Sequence, residues 1–443
     1  MSPAEPVADA PEQAGGAGAR PPGARPTPFT SAGRHELAGR ALRRPVLTIV
    51  VVYLVSRVVS LLAMWVAATW FQNPAGVGHT DPGLTDLFGL WDGVWYERIV
   101  RDGYPVPLPV DADNGEVTYS AWAFYPLYPY LVKGLMVTGL PFTAAGLLLN
   151  VVLGGVAAVL VWAVLRTDVH AERQPQRDRL ALVAAMLWCF YPTTAVMLKP
   201  YTEALAVTLV AAALLALVRR RYLVVALVAV PLGFTRGVAP ALAVAVLIHL
   251  VLRWREDRAA GLRPLGSQRA AAVVMLGALA VSAVAWPAVA GLATGVPTAF
   301  FDVQAVWGQR PDEGPFVLWL EWAWEAKGFA GVVVLVALIG TYIALVLGRH
   351  GRWISVEART WALAYPLYLF AVVRPITSMW RFLLLDVPMA ALVASVAMRT
   401  ANGQSVVPHW RRRVFVVLLV LVAGMFWWTC TLLPYTPWGS FPP

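Results

Sequence analysis

The stretch PVLTIVVVYLVSRVVSLLAMWVAATW, residues 45–70, decides the fold. It is apolar for longer than the ~20 residues a helix needs to cross the hydrocarbon core of a bilayer. Similar runs recur at roughly 143–165, 180–198, 201–218, 222–235, 237–252, 270–292, 328–347, 360–376, 380–398 and 414–433. In water some of these runs would be exposed, so lipid is the expected solvent. Together they predict an all-α polytopic membrane protein with about eleven transmembrane helices. The runs at 222–235 and 237–252 are short and share a tip at Thr235–Arg236–Gly237, which reads as a hairpin of half-crossing helices. The segment 124–140 is apolar but short, and Pro126 and Pro129 punctuate it. It reads as a helix lying at the interface.

Composition agrees. Hydrophobic residues make up 59% and charged residues 14% of the chain, where a soluble domain carries about 25% charged residues. The net charge of +10 does not point to nucleic acid, because no basic stripe is interleaved with exposed aromatics. Most of the arginine lies in short segments between apolar runs, where it sets topology. Arg40, Arg43, Arg44, Arg166, Arg173, Arg177 and Arg179 fall on one side. So do Arg219, Arg220, Arg221, Arg253, Arg255, Arg258, Arg263 and Arg269, and then Arg349, Arg352, Arg359, Arg399, Arg411, Arg412 and Arg413. That bias places the N-terminus in the cytoplasm and the C-terminus outside, in a cell membrane.

The expected organisation is a disordered cytoplasmic tail over 1–40, a transmembrane domain over 41–433 and an extracytoplasmic tail over 434–443. Two long outer loops span 71–142 and 293–327, and both are rich in Trp, Tyr and Phe. An aromatic belt at headgroup depth explains many of those rings. It does not explain the charges among them. Cys189 and Cys430 lie inside apolar runs and read as small hydrophobes.

The first loop holds LWDGVWYERIVRDGY, residues 90–104. On a helix Asp92, Tyr96 and Ile99 share one face, with Trp95 close by. A carboxylate set between Trp91 and other aromatics is a candidate general base; a helix cap is the plain alternative. AFYPLYP, residues 123–129, carries Tyr125 and Tyr128 into the interfacial helix as a platform or simply as a turn.

KPYTEA, residues 199–204, puts Glu203 at the mouth of an apolar helix, where a carboxylate must be paired or face a cavity. Lys199, one of three lysines with Lys133 and Lys327, is one possible partner. Arg236, Arg374 and Arg381 sit at the ends of apolar runs where topology does not favour bases. Arginine forks suit phosphate, and snorkelling is the alternative for each one singly. In FFDVQAVW, residues 300–307, Asp302, Gln304 and Trp307 suit a sugar ring or a solvated loop. No phosphate-binding glycine loop, dinucleotide fingerprint, zinc motif or His/Cys cluster is present, so neither metal nor cofactor is expected.

These blocks resemble a known family. LWDGVWY…DGY followed by AFYPLYP, then TEA at 202–204, TRG at 235–237 and SMWRF at 378–382, is similar to the bacterial relatives of the second mannosyltransferase of GPI-anchor synthesis (PIG-V-like proteins). That family belongs to the GT-C superfamily of membrane glycosyltransferases, and the resemblance spans most of 45–433. It implies a GT-C-type fold and transfer of a sugar, generally mannose, from a polyprenyl-phosphate donor. The acceptor would be a glycolipid or another cell-envelope molecule on the extracytoplasmic side, and the anomeric centre would be inverted.

Asp92 matches the family's acidic base. Arg236, Arg374, Arg381 and Lys199 become candidates for the donor phosphate. Trp91, Trp95, Tyr96, Tyr104, Tyr125, Tyr128, Tyr201, Glu203, Gln304 and Trp307 become candidates for sugar or acceptor. The sequence departs from the paired acids of many GT-C enzymes, since Gly93 follows Asp92, while Asp81 and Asp86 lie off the motif. A transporter or lipid flippase is the alternative class. It expects charges near the midplane and paired halves, and neither is visible.

Overall fold

A computed structural model of the chain describes residues 44–78, 80–167, 175–262, 265–309, 313–399 and 406–436. The expected tail over 1–40, Arg40, Arg43, Arg173 and Arg263, and the segment 437–443 lie outside the described residues. The helical unit is Val46–Pro443. Among the described residues it has no strand, only isolated bridges between Val110 and Val117 and between Arg399 and Val406.

Nine of the eleven apolar windows fall on a single helix, and those at 180–198 and 380–398 each fall on a bent pair. α1 is Pro45–Trp70. The first loop contributes the one-turn helix Pro74–Val77 and three longer ones, α2 (Leu84–Gly89), α3 (Asp92–Asp102) and α4 (Leu127–Met136). α5 (Phe142–Arg166), α6 (Pro175–Cys189), α7 (Glu203–Val218), α8 (Tyr222–Gly233) and α9 (Ala239–Ala259) follow. Then come α10 (Gly266–Thr294), α11 (Ala299–Val306), α12 (Val317–Leu347), α13 (Val356–Val372), α14 (Pro388–Met398) and α15 (Trp410–Leu432).

α1, α5, α10, α12 and α15 are each long and apolar enough to cross a bilayer. Two bent pairs, 176–198 and 379–398, would raise the five to seven if each is one span. α7 and α8 are shorter apolar helices. The chain is therefore a multi-pass membrane protein.

The bends have local causes. Pro192 and Pro388 each open a new turn of helix, because proline starts a helix well and cannot continue one. α6 turns by 67° into the turn Pro192–Leu198, and Met379–Leu385 turns by 85° into α14. α12 starts at Val317, inside the stretch read as a loop, and breaks at Lys327 and Gly328, where the glycine takes φ 58°. α8 packs on α7 and α10, α5 on α6 and α7, and α9 on α13. α3 and α4 stack against the start of α5 through a core of Tyr96, Ile99, Val100, Tyr128, Val132 and Phe142. This packing seats the first-loop helices over the N-terminal end of α7.

Candidate active site

The site is built on the turn 199–202, between the bend after α6 and the start of α7. Asn150, fully buried on α5, holds that turn by donating Nδ2 to the carbonyls of Lys199 and, at 2.9 Å, Tyr201. Gly146, one helical turn earlier, lets α5 approach closely: a Cβ there would sit 2.7 Å from Pro200 Cβ. The turn in turn holds the first loop. Lys199 Nζ donates to the carbonyl of Leu87 in α2, and the Tyr201 hydroxyl donates to the carbonyl of Leu90 at 3.2 Å.

Asp92 is the first residue of α3, where the helix dipole favours a carboxylate. Trp91 before it has φ 64° and ψ −124°, a sparsely populated conformation for a side chain of that size. Its indole donates to the carbonyl of Leu433 at 2.8 Å, and its ring lies 4.7 Å from Tyr435. Strained backbone thus aims Asp92, and α15's C-terminal end braces it.

Four charged side chains form a continuous chain. Arg381 Nη2 lies 2.6 Å from Asp92 Oδ2, and its Nη1 lies 2.9 Å from Glu203 Oε1. Arg236 Nη1 reaches the same Glu203 oxygen at 3.0 Å. Glu203 has 0% side-chain exposure, Arg381 7%, Arg236 16% and Asp92 20%, so the chain runs from the interior to a rim at Asp92. Phe382 lies beneath both guanidiniums, 4.3 Å from Arg236 and 5.2 Å from Arg381. Tyr201 is 5.0 Å from Arg381 and 5.3 Å from the Lys199 ammonium.

Lys199 and Glu203 do not pair. The backbone at Lys199 is extended (φ −111°, ψ 156°), not helical, which sends the side chain to α2. Burial pushes its ammonium down to about 7, with the Asp92 carboxylate pulling the other way.

The aromatic candidates form a wall beside this chain. Trp95 stacks on Phe124 at 5.5 Å and meets Trp307 edge-on at 5.8 Å. Trp307 also meets Tyr119 at 4.7 Å, and its indole nitrogen is buried without a hydrogen-bond partner. Gln304 donates to the carbonyl of Ala123 at 3.1 Å, tying α11 to the platform. Tyr96 and Tyr128 stand 5.5 Å apart in the core below. Burial, reinforced by Asp92, keeps the Tyr96 phenol protonated well above its ordinary value.

Tyr104 donates to the carbonyl of Phe124 at 3.0 Å and packs on Trp122 and Trp286. Tyr125 lies against Phe300, and its hydroxyl sits 2.7 Å from where a Cβ on Gly237 would be. Asp302 accepts from Thr298, the residue just before its own helix, at 2.7 Å. Arg374 stands apart from the charged chain: it is exposed, packs over Gly308 and is held through its backbone N–H by Gln309 at 2.9 Å.

Four participants were not singled out from the sequence: Phe124, Asn150, Phe382, and Thr202, whose hydroxyl accepts from Arg236 Nη1 at 3.5 Å. Asn150 did leave a signal, as a lone amide inside the apolar run at 143–165. Thr202 and Phe382 sit inside the quoted blocks TEA and SMWRF but carry no charge to draw notice. Among the described residues no three His, Cys, Asp or Glu side chains converge as metal ligands.

Comparison with known proteins gives solved structures alone. No family model and no curated protein matches the chain. The chain is similar to the Archaeoglobus fulgidus oligosaccharyltransferase in its apo form, at TM-score 0.45 and 12% identity over 88% of this chain and 56% of that one. It is likewise similar to the archaeal oligosaccharyltransferase AglB from Archaeoglobus fulgidus in complex with an inhibitory peptide and a dolichol-phosphate, at TM-score 0.45 and 12% identity over 91% and 57%. The complex of the Archaeoglobus fulgidus oligosaccharyltransferase with Zn and sulfate matches at TM-score 0.40 and 13% identity over 88% and 54%. The chain spans about half the length of the solved structures it matches.

Proposed function

We propose that this chain is a GT-C-type membrane glycosyltransferase. It moves a sugar, mannose by the resemblance of its motifs, from a polyprenyl-phosphate donor to a lipid-linked or cell-envelope acceptor. The observation that carries the reading is the chain Asp92–Arg381–Glu203–Arg236. A single carboxylate at the rim is linked to two guanidiniums inside, which suits a base beside a phosphate site. The arginine bias of the other loops supports an extracytoplasmic position for this site.

In this reading Asp92 takes the proton of the acceptor hydroxyl. The acceptor oxygen bonds to the anomeric carbon as the bond from that carbon to the phosphate oxygen breaks, inverting the centre. The electron pair leaves with the polyprenyl phosphate, which is already charged and needs no general acid. Arg381 and Arg236 stabilise the charge that develops on it. Lys199 adds a positive charge beside Asp92. Arg374 is left at the rim near Gly308, as an outlying base for the donor. Trp95, Phe124 and Trp307 form the sugar-stacking wall, and the unpartnered Trp307 indole is a donor for a sugar hydroxyl.

The test uses purified protein with labelled polyprenyl-phosphate mannose and membrane lipid extract, with products separated by mass. Transfer that Asp92→Asn abolishes is expected. The absence of transfer from any polyprenyl-phosphate sugar would sink the reading.

A further inference from the structure

The opposite end of α7 carries a second charged site. α7 has 16 residues, so its C-terminal end lies about 24 Å from Glu203 at 1.5 Å per residue. There a cavity of 160 Å³ opens among the ends of α7, α9 and α13. Four arginines line it, Arg220, Arg253, Arg352 and Arg359, against two carboxylates, Glu256 and Glu357. We propose that this cavity binds a phosphate group, carried either by an anionic lipid headgroup or by a soluble phosphate compound.

The carboxylates are already engaged. Glu357 Oε1 lies 2.7 Å from His249 Nδ1, whose other nitrogen meets the Tyr222 hydroxyl at 3.1 Å. Glu256 pairs with Arg253, which also lies 3.6 Å from Asp257. Among the described residues that leaves Arg220, Arg352 and Arg359 without a carboxylate partner. Arg359 Nε is shut away from solvent with no hydrogen-bond partner at all. An unpaired buried guanidinium N–H is costly, and an anion's oxygen would satisfy it.

Arg220 adds an independent sign. It is the second residue past α7, after the cap Arg219, with φ 56°, in a turn closed by Arg221 N–H to Ala216 at 2.8 Å and Arg220 N–H to Leu217 at 2.9 Å. Glycine is the usual occupant of that position. An arginine there accepts backbone strain and gains a guanidinium at the cavity mouth.

Three guanidiniums lining one cavity suit a tetrahedral oxyanion, which offers more oxygens than a planar carboxylate. The cavity volume of 160 Å³ equals about five waters at ~30 Å³ each, room for a phosphate group. Arg220 and Arg352 are exposed and Arg359 is partly buried, so the anion would enter past the first two and end on the third.

The experiment titrates the purified full chain in non-ionic detergent with phosphatidylglycerol, and separately with inorganic phosphate. It compares wild type, Arg220→Gly/Arg352→Gln, and Arg412→Gln/Arg413→Gln as a control at the start of α15. The glycine relieves the backbone at 220, so the first variant keeps its fold, which thermal unfolding verifies. One saturable equivalent is expected, weakened at least about tenfold in the first variant and unchanged in the control. Loss with phosphatidylglycerol alone names a lipid as the source, and loss with inorganic phosphate names a soluble ligand. Equal binding by wild type and Arg220→Gly/Arg352→Gln, equal loss in the control, or no saturable binding of either probe to wild type would overturn the proposal.

Discussion

Glu203→Gln and Asp92→Asn each remove one negative charge from the same chain of residues, yet the geometry separates their consequences. Glu203 is fully buried and is the carboxylate shared by Arg236 at 3.0 Å and Arg381 at 2.9 Å. Among the described residues Arg236 has no other. The glutamine keeps the shape but leaves two guanidiniums facing a neutral amide. Breaking a buried pair from one side costs about 3–5 kcal/mol, against a folding margin of about 5–15 kcal/mol. A fall in Tm of about 3–6 °C is expected.

Asp92 is 20% exposed, and its partner Arg381 still holds Glu203 when Asp92 is gone. Its loss should cost no more than about 1–2 kcal/mol of stability. In the proposed reaction, however, it removes the base. General base catalysis is worth about 10²–10⁴-fold, or about 3–5 kcal/mol of barrier. Both variants are measured on one preparation, by thermal unfolding in detergent and by transfer from labelled polyprenyl-phosphate mannose. The reasoning fails if Asp92→Asn destabilises the protein more than Glu203→Gln does. It also fails if Asp92→Asn keeps more than about a tenth of wild-type transfer.

Further outcomes follow from the same geometry. Arg381→Lys replaces two separate nitrogens, one per carboxylate, by a single point charge; transfer should fall about 10²-fold with protein yield unchanged, and a wild-type kcat/KM would show that the fork is not needed. Lys199, lowered to about 7 by burial, loses its proton as the pH rises past that value. If it helps to hold an anionic donor, the donor KM rises between roughly pH 6 and 8, and Lys199→Arg, which stays charged, removes that rise; a flat KM in wild type would take Lys199 out of donor binding. Gly146→Ala drives a methyl to 2.7 Å from Pro200 Cβ and should cost about 1–3 kcal/mol while shifting the 199–202 turn. Unchanged Tm and transfer in that variant would show that the close approach is not required.

The membrane fold was legible because apolar length is a property of single segments, and each window reads without knowledge of its neighbours. The bends were not legible from the windows themselves, since a span and a 67° or 85° break have the same hydropathy. Pro192 and Pro388 were the readable trace of them. At the site, charges at the ends of apolar runs picked out Glu203, Arg236 and Arg381 because membrane depth makes unpaired charge costly.

Their pairing was not readable. The natural local guess was Lys199 with Glu203, four residues apart, and it required a helix that the backbone at Lys199 does not make. Arg374 and Arg381 look alike in sequence, each beside the end of an apolar run. They part in space because α13 ends at Val372 and Val373 is extended (φ −115°, ψ 128°), carrying Arg374 toward Gln309. Arg381 instead lies on the one-turn helix Met379–Phe382, facing Glu203.

The shared guanidinium of Arg381 has a consequence for the proposed reaction. Asp92 Oδ2 lies 2.6 Å from Arg381, so the carboxylate that would take the acceptor's proton is engaged by a guanidinium. An arriving phosphate needs a guanidinium, so it competes with the carboxylates for Arg381. Burial decides the competition. Glu203, at 0% side-chain exposure and bonded to two arginines, would be left as an uncompensated interior charge if it lost them. Asp92, at the rim, can exchange its ion pair for water or for an acceptor hydroxyl at far lower cost. In the proposed reaction the phosphate would therefore displace Asp92 and leave Glu203 in place. In that order the proposed base would be freed by the seating of the donor, and an acceptor arriving first would meet a carboxylate paired with its arginine.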